Sequence, residues 1–550
     1  MVYDEGAGKL KIKALDEMED THSRLHLDGY VHIHDLEAYG RTYNCLTMDL
    51  HRNFPIHRFN GYTDVRKIIE LFSYFRKIVA ELGHEQSGGI SFPNFDEDVS
   101  IILKKLEVKI DQSIEHLLKT SIESFIDWMN DSHERCGQFS YYVTLNLGLA
   151  TDDLGRLITN IVLDYFGNSD SKLIKPNIVF KVKSGVNKNI DDPNHDLFMM
   201  AISSTARKMI PTYLLFDSAP NQHLDPKKIA VMGCRTRVVQ NEYGEDSTIG
   251  RANIAYVTIN LPRIALEVGS DQDEQLDVDL KIDKFQERWA FIADEVKNIL
   301  LDRYEQLLLR NPSDFPCNYN NNLWLRDFTD ETDLRDIFCN GTLSIGFIGL
   351  AEAVEILTGN KVYECEQSEK YALSIVESFK SKIDQYRYDY RLNFSLLGTS
   401  GEYISGRFPK IDTKFYSNAT IDKEFYTNSF HVEVDSMLHP FDKLKIEGPY
   451  HRLCNGGCIS YVEFTSAPIE NTMAIEEVID VAIYSGVSYL GMNFPIDICK
   501  SCQYTGVFDV CPHCTNEDIL RIRRVSGYLE NLEYFTYGKK AEVRKRKPNE

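Results

Sequence analysis

Four cysteines near the end of the chain constrain its folding more than any other feature. Cys499 and Cys502 are separated by two residues, as are Cys511 and Cys514, and eight residues lie between the two pairs. Tetrahedral Zn²⁺ prefers four soft donors, and each pair offers two thiolates from one tight turn. The spacing therefore predicts a structural zinc site. Because four protein ligands leave no open coordination position, we expect the metal to brace the chain and not to catalyse a reaction.

Gly527 follows the last of these cysteines by thirteen residues, within the sequence Arg-Arg-Val-Ser-Gly-Tyr-Leu over residues 523–529. A glycine between a basic and an aromatic run could simply occupy a turn that requires a positive φ. A glycine backbone is also a rare protein site that can store a radical, because loss of an α-hydrogen leaves the unpaired electron delocalised over both flanking amides. A zinc-braced loop would hold such a glycine in a fixed place.

The composition indicates a large globular protein of the cytoplasm. The 550 residues are 43% hydrophobic and 11% aromatic, which is enough for a large core. The net charge of −22 argues against a general nucleic-acid binder. We expect neither a membrane span nor a signal peptide, because no apolar run reaches about 18 residues and residues 1–13 are polar. Twelve cysteines without a secretory signal indicate metal binding or catalysis in a reducing compartment.

Hydrophobic periodicity predicts helices separated by short strands, which is typical of an α/β architecture. A basic run at 544–547 predicts a solvated tail. The sharpest change in composition lies near residue 495, so we predict one unit over 1–494 and a second over 495–550. The predicted helices cover 64–82, 102–128 and 285–304, and the predicted strands cover 141–147, 177–183 and 254–261.

The Arg-Val-Ser-Gly-Tyr sequence at 524–528 resembles the glycyl radical motif. Its place just after a four-cysteine knuckle is similar to class III anaerobic ribonucleotide reductases, whereas pyruvate formate-lyase-type enzymes share the motif without the knuckle. Further matching segments at 426–431, 439–443 and 448–457 follow in the expected order, and the resemblance covers about residues 20–545. It implies a ten-stranded α/β barrel of two half-sheets, with a C-terminal zinc-binding module that carries the radical on Gly527.

Cys234 is a second candidate for the radical chemistry. A cysteine within Met-Gly-Cys-Arg at 232–235 could be an ordinary loop thiol. Together with 250–253 and 258–266, however, this segment resembles the active-site loop of the reductases and the strand after it. The resemblance implies that Cys234 becomes a transient thiyl radical and abstracts the ribose 3′ hydrogen, because S–H and glycine C–H bonds have similar strengths. It places Asn253 near the sugar, where the amide positions the reductant.

His32, His34 and Cys45 match another stretch of the same family. Two histidines at positions i and i+2 of a strand point the same way, so they could hold a second metal or form a hydrogen-bonded structure. The family spacing implies instead that His32 and His34 bind substrate and that Cys45 faces Cys234 and completes the reduction at the 2′ position. A buried structural thiol is the alternative for Cys45.

Thr342 and Ser344 are candidate phosphate contacts. The run at 339–350 is rich in small and hydroxyl residues, and we expect it to open an apolar helix that extends through Ile356. Free backbone N–H groups at a helix start can bind phosphate, although helix packing also selects small residues. The resemblance to the family's phosphate segment favours binding. No P-loop lysine follows the glycines.

The resemblance also implies partners and a reductant. A separate activating enzyme with an iron–sulfur cluster and S-adenosylmethionine would generate the radical, the chain would form a homodimer, and nucleotide effectors would regulate it. Cys45 and Asn253 favour formate as co-substrate. Cys454 and Cys458 are not expected in this family, and they are either buried thiols or redox thiols that would favour a thioredoxin-like reductant.

Two departures leave alternatives open. The N-terminal ATP-binding cone of the family, and part of its N-terminal core, are not visible in this sequence. The segment at 399–402 reads Thr-Ser-Gly-Glu where the family has Thr-Pro-x-Glu, which could alter a phosphate or turn contact. The alternatives to an anaerobic reductase that supplies DNA precursors are a glycyl radical lyase or acyltransferase, which adjacent cysteines would favour, and an inactive truncated zinc-binding remnant.

Overall fold

The computed structural model describes most of the chain. Cys234 lies outside the described residues. Within the described part, no helix has the length and apolarity needed to cross a membrane. The described residues are 2–52, 54–131, 141–168, 172–233, 235–269, 277–417, 420 and 423–549.

One large β-sheet forms the centre of the protein. Its short strands are almost entirely buried, as expected for parallel strands that are covered on both faces. The strands are β1 (Val31–Ile33), β2 (Cys45–Thr47), β3 (Ile90–Phe92), β4 (Val143–Leu147), β5 (Asn177–Val182), β6 (Thr212–Leu215), β7 (Arg251–Asn260), β8 (Thr342–Ile348), β9 (Asn393–Gly398), β10 (Ser460–Glu463) and β11 (Tyr489–Asn493).

The sheet is a barrel made of two half-sheets. Ten strands lie in the order β10-β11-β6-β5-β4-β3-β2-β7-β8-β9, and β1 pairs with β7 outside this path. Strands β2 to β6 are mutually parallel, and they meet the other half-sheet antiparallel at β2–β7 and β6–β11. Leu397 in β9 bridges to Gly457 just before β10, which joins the two ends of the strand order. The predicted ten-stranded α/β barrel is therefore confirmed.

Helices cover the outside of the barrel. The longest described helix, α9, buries Phe285, Trp289 and Ile292 against the sheet and its neighbours. Each such side chain contributes about 1.5–3 kcal/mol by leaving water. The helices are α1 (Val2–Glu17), α2 (Asp20–Leu27), α3 (Asp64–Leu82), α4 (Phe95–Lys105), α5 (Gln112–Asp131), α6 (Asp153–Asn168), α7 (His195–Lys208), α8 (Leu261–Gly269), α9 (Val278–Leu308), α10 (Pro316–Asn321), α11 (Leu334–Phe338), α12 (Leu350–Thr358), α13 (Glu366–Tyr390), α14 (Ile404–Asp412), α15 (Pro440–Leu453), α16 (Met473–Ser485) and α17 (Tyr537–Lys545).

Two helix predictions are wrong. The helix expected over 102–128 is split between α4 and α5, and Glu107 between them has a left-handed φ of 54° that a right-handed helix cannot continue. The segment expected to open a helix at 339–350 instead forms β8, and α12 begins only after Gly349, whose φ is 79°. A short apolar run fits a buried strand as well as a helix, so periodicity could not separate them.

A small second sheet carries the cysteine pairs and the Gly527 turn. Its strands β12 (Ile496–Cys499), β13 (Thr505–Gly506), β14 (Ile519–Arg524) and β15 (Leu529–Asn531) lie in the order β13-β12-β14-β15, all antiparallel. Strand β12 begins soon after β11 ends, close to the composition change near residue 495. The division into two units at that point stays a prediction.

The prediction of a solvated basic run at 544–547 holds for Arg544, Lys545 and Lys547, which are exposed, but Arg546 pairs with the buried Glu542 at 2.7 Å and the backbone that follows docks on the protein. The backbone N–H of Lys547 donates to Val434 O at 2.8 Å. Asn549 pairs with Glu463 through its backbone N–H and its side-chain oxygen, both at 2.8 Å. The tail therefore satisfies backbone groups at the end of β10, which the charge run could not reveal.

Candidate active site

A cavity of about 280 Å³ is lined by residues of both half-sheets. His32, His34 and Cys45 line it, as the sequence analysis expected. Tyr528, the neighbour of Gly527, lines it as well. Three segments that are far apart in the sequence therefore meet at one cavity.

The loop around Cys234 reaches the same cavity. Gly233 and Arg235, on either side of Cys234, are lining residues. Met232 and Thr236 exchange backbone hydrogen bonds of 3.0 and 3.2 Å, which closes the loop into a tight hairpin. The position of Cys234 itself stays a prediction, because this residue lies outside the described part of the chain.

This hairpin is attached to both half-sheets. Before it, the Val231 N–H donates to Asn146 Oδ1 on β4 at 3.0 Å. After it, the Arg237 N–H donates to Gly456 O, in the turn before β10, at 3.0 Å. Each end is fixed to a different side of the barrel, so the loop has little freedom to leave the cavity.

Two glycines that the sequence analysis did not single out make room for these thiol segments. A Cβ on Gly88 would lie 2.6 Å from Cys45 Sγ, and a Cβ on Gly89 would lie 2.9 Å from Gly233 Cα. Both distances are shorter than side chains tolerate in a packed interior. Gly88 and Gly89 therefore allow the Cys45 strand and the Gly233 hairpin to approach one another. In the sequence, the adjacent pair of glycines was the pattern from which this close approach could have been predicted.

An amide network fixes the thiol of Cys45. Its S–H donates to Asn44 Oδ1 at 2.8 Å, and its sulfur accepts the Gly89 N–H at 3.0 Å. Asn253, the cross-strand partner of Cys45, also donates to Asn44 Oδ1, at 3.3 Å. Asn44 in turn donates to Asp35 Oδ2 at 2.9 Å. Burial raises the pKa of Asp35, so this carboxyl depends on such donors when it is ionised.

Thr342 and Ser344 support Asn253, which corrects their expected placement. Both hydroxyls donate to Asn253 Oδ1 at 3.0 Å. They lie on β8 and not at the start of a helix. The predicted phosphate contact relied on the free backbone N–H groups of a helix start, and this reason does not apply to residues of a strand. Thr342, Ser344 and Asn253 are not among the described residues that line the cavity.

His32 and His34 form one wall of the cavity, on the same face as expected. His34 stacks on Tyr256 with ring centroids 3.9 Å apart, and its Nε2 lies 2.9 Å from Thr258 Oγ1. The His32 and His34 centroids are 4.6 Å apart. Burial lowers the pKa of both imidazoles well below 6.5, so both are neutral near pH 7. Their ring nitrogens do not belong to any group of described side chains able to hold a metal.

The Gly527 turn is buried and closed between β14 and β15. The Val525 N–H donates to Tyr528 O at 3.0 Å. Arg524, also buried, donates to Gly527 O at 3.2 Å and to Met492 O on β11 at 3.1 Å. An arginine of the motif thus fixes the glycine backbone to the barrel, a role that the sequence analysis did not predict.

A carboxylate at the cavity holds the same turn from its other side. The hydroxyls of Ser526 and Tyr528 each donate to Glu402, both at 2.9 Å. The sequence at 399–402 shows only a departure from the family's Thr-Pro-x-Glu, and no local pattern indicates that this turn meets the glycine segment.

The four cysteines of the second sheet converge as predicted. Their Sγ atoms all lie within 4.8 Å of one another, with Cys499 3.4 Å from Cys514 and Cys502 3.6 Å from Cys511. Zn–S bonds of about 2.3 Å at tetrahedral angles place sulfurs nearly 3.8 Å apart, so the four thiols fit zinc. Cys499 ends β12, which pairs with β14, and β14 leads directly into the Gly527 turn.

Cys454 and Cys458 are buried, and neither is among the described residues that line the cavity. Cys458 Sγ lies 3.2 Å from His451 Nδ1. The pKa of the Cys454 thiol is raised, mainly because the thiol is buried. Their positions favour the interpretation as buried thiols over that of exchange partners for a protein reductant.

A family comparison agrees with this geometry. The model of the family described as anaerobic ribonucleoside-triphosphate reductase matches residues 5–548. The anaerobic ribonucleoside-triphosphate reductase of Escherichia coli K12 is 29% identical over 567 residues, covering 95% of this chain and 77% of that protein. The enzyme of the same name from enterobacteria phage T4 is 29% identical over 571 residues, covering 94% of this chain and 90% of that one.

Solved structures show the same fold. The anaerobic ribonucleotide reductase of Thermotoga maritima in complex with dATP and CTP superposes with a TM-score of 0.68 at 15% identity, covering 99% of this chain and 89% of that chain. A glycyl radical enzyme from Archaeoglobus fulgidus superposes with a TM-score of 0.56 at 12% identity, covering 98% of this chain and 84% of that one.

Proposed function

Because this chain belongs to the anaerobic ribonucleoside-triphosphate reductase family, we propose that Gly527, Cys234 and Cys45 carry its radical chemistry. The enzyme reduces ribonucleoside triphosphates in the absence of oxygen. The observation that supports the residue assignment is the shared cavity, which Cys45 lines together with the neighbours of Cys234 and of Gly527.

The first step is a hydrogen-atom transfer. The Gly527 Cα radical takes the hydrogen of the Cys234 S–H, which restores glycine and leaves a thiyl radical. The thiyl then abstracts the 3′ hydrogen of the ribose, and the 2′-hydroxyl leaves as water. The oxidised intermediate that remains needs two electrons before the 3′ hydrogen returns.

Cys45 supplies a hydrogen atom for the 2′ position, and its thiyl radical then regains a hydrogen atom from formate. The carbon dioxide radical anion that remains passes its electron, with a proton, to the 3′ ketone and leaves as carbon dioxide. Its thiol is oriented by Asn44 and Gly89, and Asn253 reaches it through Asn44. A fixed donor matters because misplacement by about 1 Å can cost about 10²-fold in rate. In this proposal Thr342 and Ser344 act by holding the Asn253 amide, and they contact no phosphate.

His32 and His34 bind the substrate as neutral groups. A neutral imidazole offers one donor and one acceptor, which suits ribose hydroxyls. Since burial keeps both rings uncharged, they add no charge that would change with small shifts of cellular pH. His34 is oriented by Thr258 and by its stacking on Tyr256.

Formate is the proposed two-electron reductant. Ribonucleoside triphosphate, formate and a proton then give deoxyribonucleoside triphosphate, carbon dioxide and water. Among the described residues, Cys45 is the one cysteine that lines the cavity, and its cross-strand partner is Asn253. The pairing of Cys45 with Asn253, which the family resemblance associates with formate, supports formate over a thioredoxin-like protein.

The partners follow from the family. A radical S-adenosylmethionine enzyme would remove the α-hydrogen of Gly527, and the working form would be a homodimer in the cytoplasm. Solved structures of the Thermotoga maritima enzyme hold dATP in a specificity site and dATP with CTP. We extend nucleotide effectors to this chain on that basis. Zinc, held by the four cysteines, would brace the strand that leads to Gly527.

Electron paramagnetic resonance tests the radical assignment. After anaerobic activation, the wild type should show a glycyl doublet that Gly527→Ala lacks. A doublet in Gly527→Ala would contradict the site, and none in the wild type would favour an inactive zinc-binding remnant. Incubation with CTP and either formate or a thioredoxin system then identifies the reductant by which of them yields dCTP. Labelled formate should release carbon dioxide in proportion to dCTP.

A further inference from the structure

We propose that Glu402 is a positioning residue that orients Gly527 for hydrogen-atom transfer. Its carboxylate Oε1 accepts from the Ser526 hydroxyl and its Oε2 from the Tyr528 hydroxyl, both at 2.9 Å, and Oε1 also accepts from the Ser400 hydroxyl at 3.4 Å. Ser526 and Tyr528 are the residues immediately before and after Gly527. One side chain therefore holds the turn on both sides of the radical carbon. This inference rests on the proposed radical role of Gly527.

The carboxylate extends from a fixed backbone. The Thr536 hydroxyl donates to Glu402 O at 2.8 Å. A Cβ on the preceding Gly401 would lie 2.3 Å from Ile348 Cδ1, so the loop packs directly on β8. The backbone from which the carboxylate extends is thus fixed both by β8 of the barrel and by Thr536 of the C-terminal segment.

Glu402 completes a two-point attachment of the turn. Arg524 holds the Gly527 carbonyl oxygen from the β11 side. A turn held at one backbone oxygen could still rotate about that contact, which would swing the glycine Cα. The two bonds to Glu402 prevent this rotation. Alignment of the reacting atoms is the property on which transfer depends most steeply.

A direct role of Glu402 in binding substrate fits the structure less well. Both of its carboxylate oxygens already accept hydrogen bonds from the protein. A carboxylate also repels the triphosphate of a nucleotide, since like charges disfavour one another. Glu402 lines the cavity, but its contacts direct it toward the glycine turn.

Turnover and radical yield in Glu402 variants test this proposal. Glu402→Ala removes both acceptors and Glu402→Gln keeps one carbonyl oxygen. We expect a wild-type yield of glycyl radical and a Kd for CTP within about twofold of wild type, while kcat falls by about 10²-fold in Glu402→Ala and less in Glu402→Gln. Tyr528→Phe keeps the aromatic ring but loses the hydrogen bond to Glu402, so its kcat should fall by an intermediate amount. This variant takes the place of Glu402→Ala if the latter does not fold.

A double-mutant cycle separates positioning from substrate binding. In the Glu402→Ala background, adding Ser526→Ala and Tyr528→Phe should cause little further loss, because their partner is already gone. Losses of kcat that add fully would overturn the proposal. A raised Kd for CTP in Glu402→Ala, or a wild-type kcat in that variant, would overturn it as well.

Glu424→Gln is the matched control. Glu424 also accepts from a tyrosine, Tyr537, and from Arg544 at 3.1 Å, but on the exposed side of the C-terminal helix. This variant should keep wild-type kcat, and an equal loss there would overturn the specific role of Glu402. A wild type without a glycyl doublet would overturn the proposed function itself. A wild-type doublet with unaffected Glu402 variants would overturn this inference alone.

Discussion

At the scale of single residues, the thiol of Cys45 gives the most direct test of the chemistry. Cys45→Ser keeps a hydroxyl that can still donate to Asn44, but its O–H bond is too strong to give up a hydrogen atom. We expect an unchanged glycyl doublet and a loss of dCTP formation of at least about 10²-fold, the low end of the range for a positioned side chain that transfers a proton. Cys339→Ser, at a buried thiol not among the described cavity residues, is the control. Normal dCTP formation by Cys45→Ser would contradict the assignment.

A second prediction at this scale concerns His26, which lies behind His32 with ring centroids 5.1 Å apart. Burial lowers the pKa of His26 to about 3, below the value of 6.5 expected in the unfolded chain. The unfolded state therefore binds more protons at acid pH, so stability is complete above 6.5 and is lost as the pH falls toward 3. Between pH of about 7.5 and about 5.5 the loss from this one group is about 1.4 kcal/mol.

His26→Asn isolates that contribution. The Asn oxygen can still accept from the Ile33 N–H, which donates to His26 Nδ1 at 3.1 Å. Urea unfolding at the two pH values should show a smaller acid-induced loss in the variant than in the wild type, by about the same 1.4 kcal/mol. Equal losses in both proteins would contradict a neutral buried His26.

At the scale of elements, the zinc site and the glycine turn share one strand pair. Cys499→Ala should release zinc and loosen β12 from β14, since a structural zinc contributes about 10 kcal/mol to local folding. We expect low zinc by metal analysis and a strongly reduced glycyl doublet, although no reacting atom is removed. Cys365→Ala changes an exposed cysteine away from the zinc site, and this control variant should retain both its zinc and its glycyl doublet. A full doublet in zinc-free Cys499→Ala would show that the metal is not needed to place Gly527.

The contact between Gly89, which lies just before β3, and the Gly233 hairpin makes another prediction. Gly89→Ala would place a Cβ 2.9 Å from Gly233 Cα, so the hairpin must shift by several tenths of an ångström. We expect a normal radical yield with kcat reduced at least about tenfold, because the shift misaligns Cys234. Gly8→Ala, where an added Cβ meets nothing within 4 Å, should have normal kcat.

At the scale of the whole molecule, the barrel depends on the close approach at Gly457. Its φ is 122°, and an added Cβ would lie 2.2 Å from Arg235 O. Gly457→Ala should therefore cost more than backbone strain alone, by about 1–3 kcal/mol of overpacking. Gly185→Ala is the control for strain, since its φ is 84° but its surroundings are open. Equal free energies of unfolding for both variants would contradict a tight closure.

Much of this architecture could be predicted, because several motifs were specific. The cysteine spacing identified the zinc cluster, and the resemblance identified the barrel. The sequence could not separate strand from helix at β8, since a short apolar run suits either. It also missed Glu402, Arg524 and the Gly88–Gly89 pair. Their roles arise from contacts between segments distant in the chain, and no local pattern encodes such contacts.

The closure at Gly457 has a consequence for the order of folding. The backbone of the Arg235 hairpin fills the space against which Gly457 packs, and the Arg237 N–H bonds the turn beside it. Because Gly457 packs directly on this hairpin, the ring of strands closes against it. We therefore expect the hairpin to be in place before β10 and β11 join β9, so that the barrel assembles around its own catalytic loop. Synthesis from the N-terminus favours this sequence of events, because the hairpin emerges more than two hundred residues ahead of the turn that encloses it.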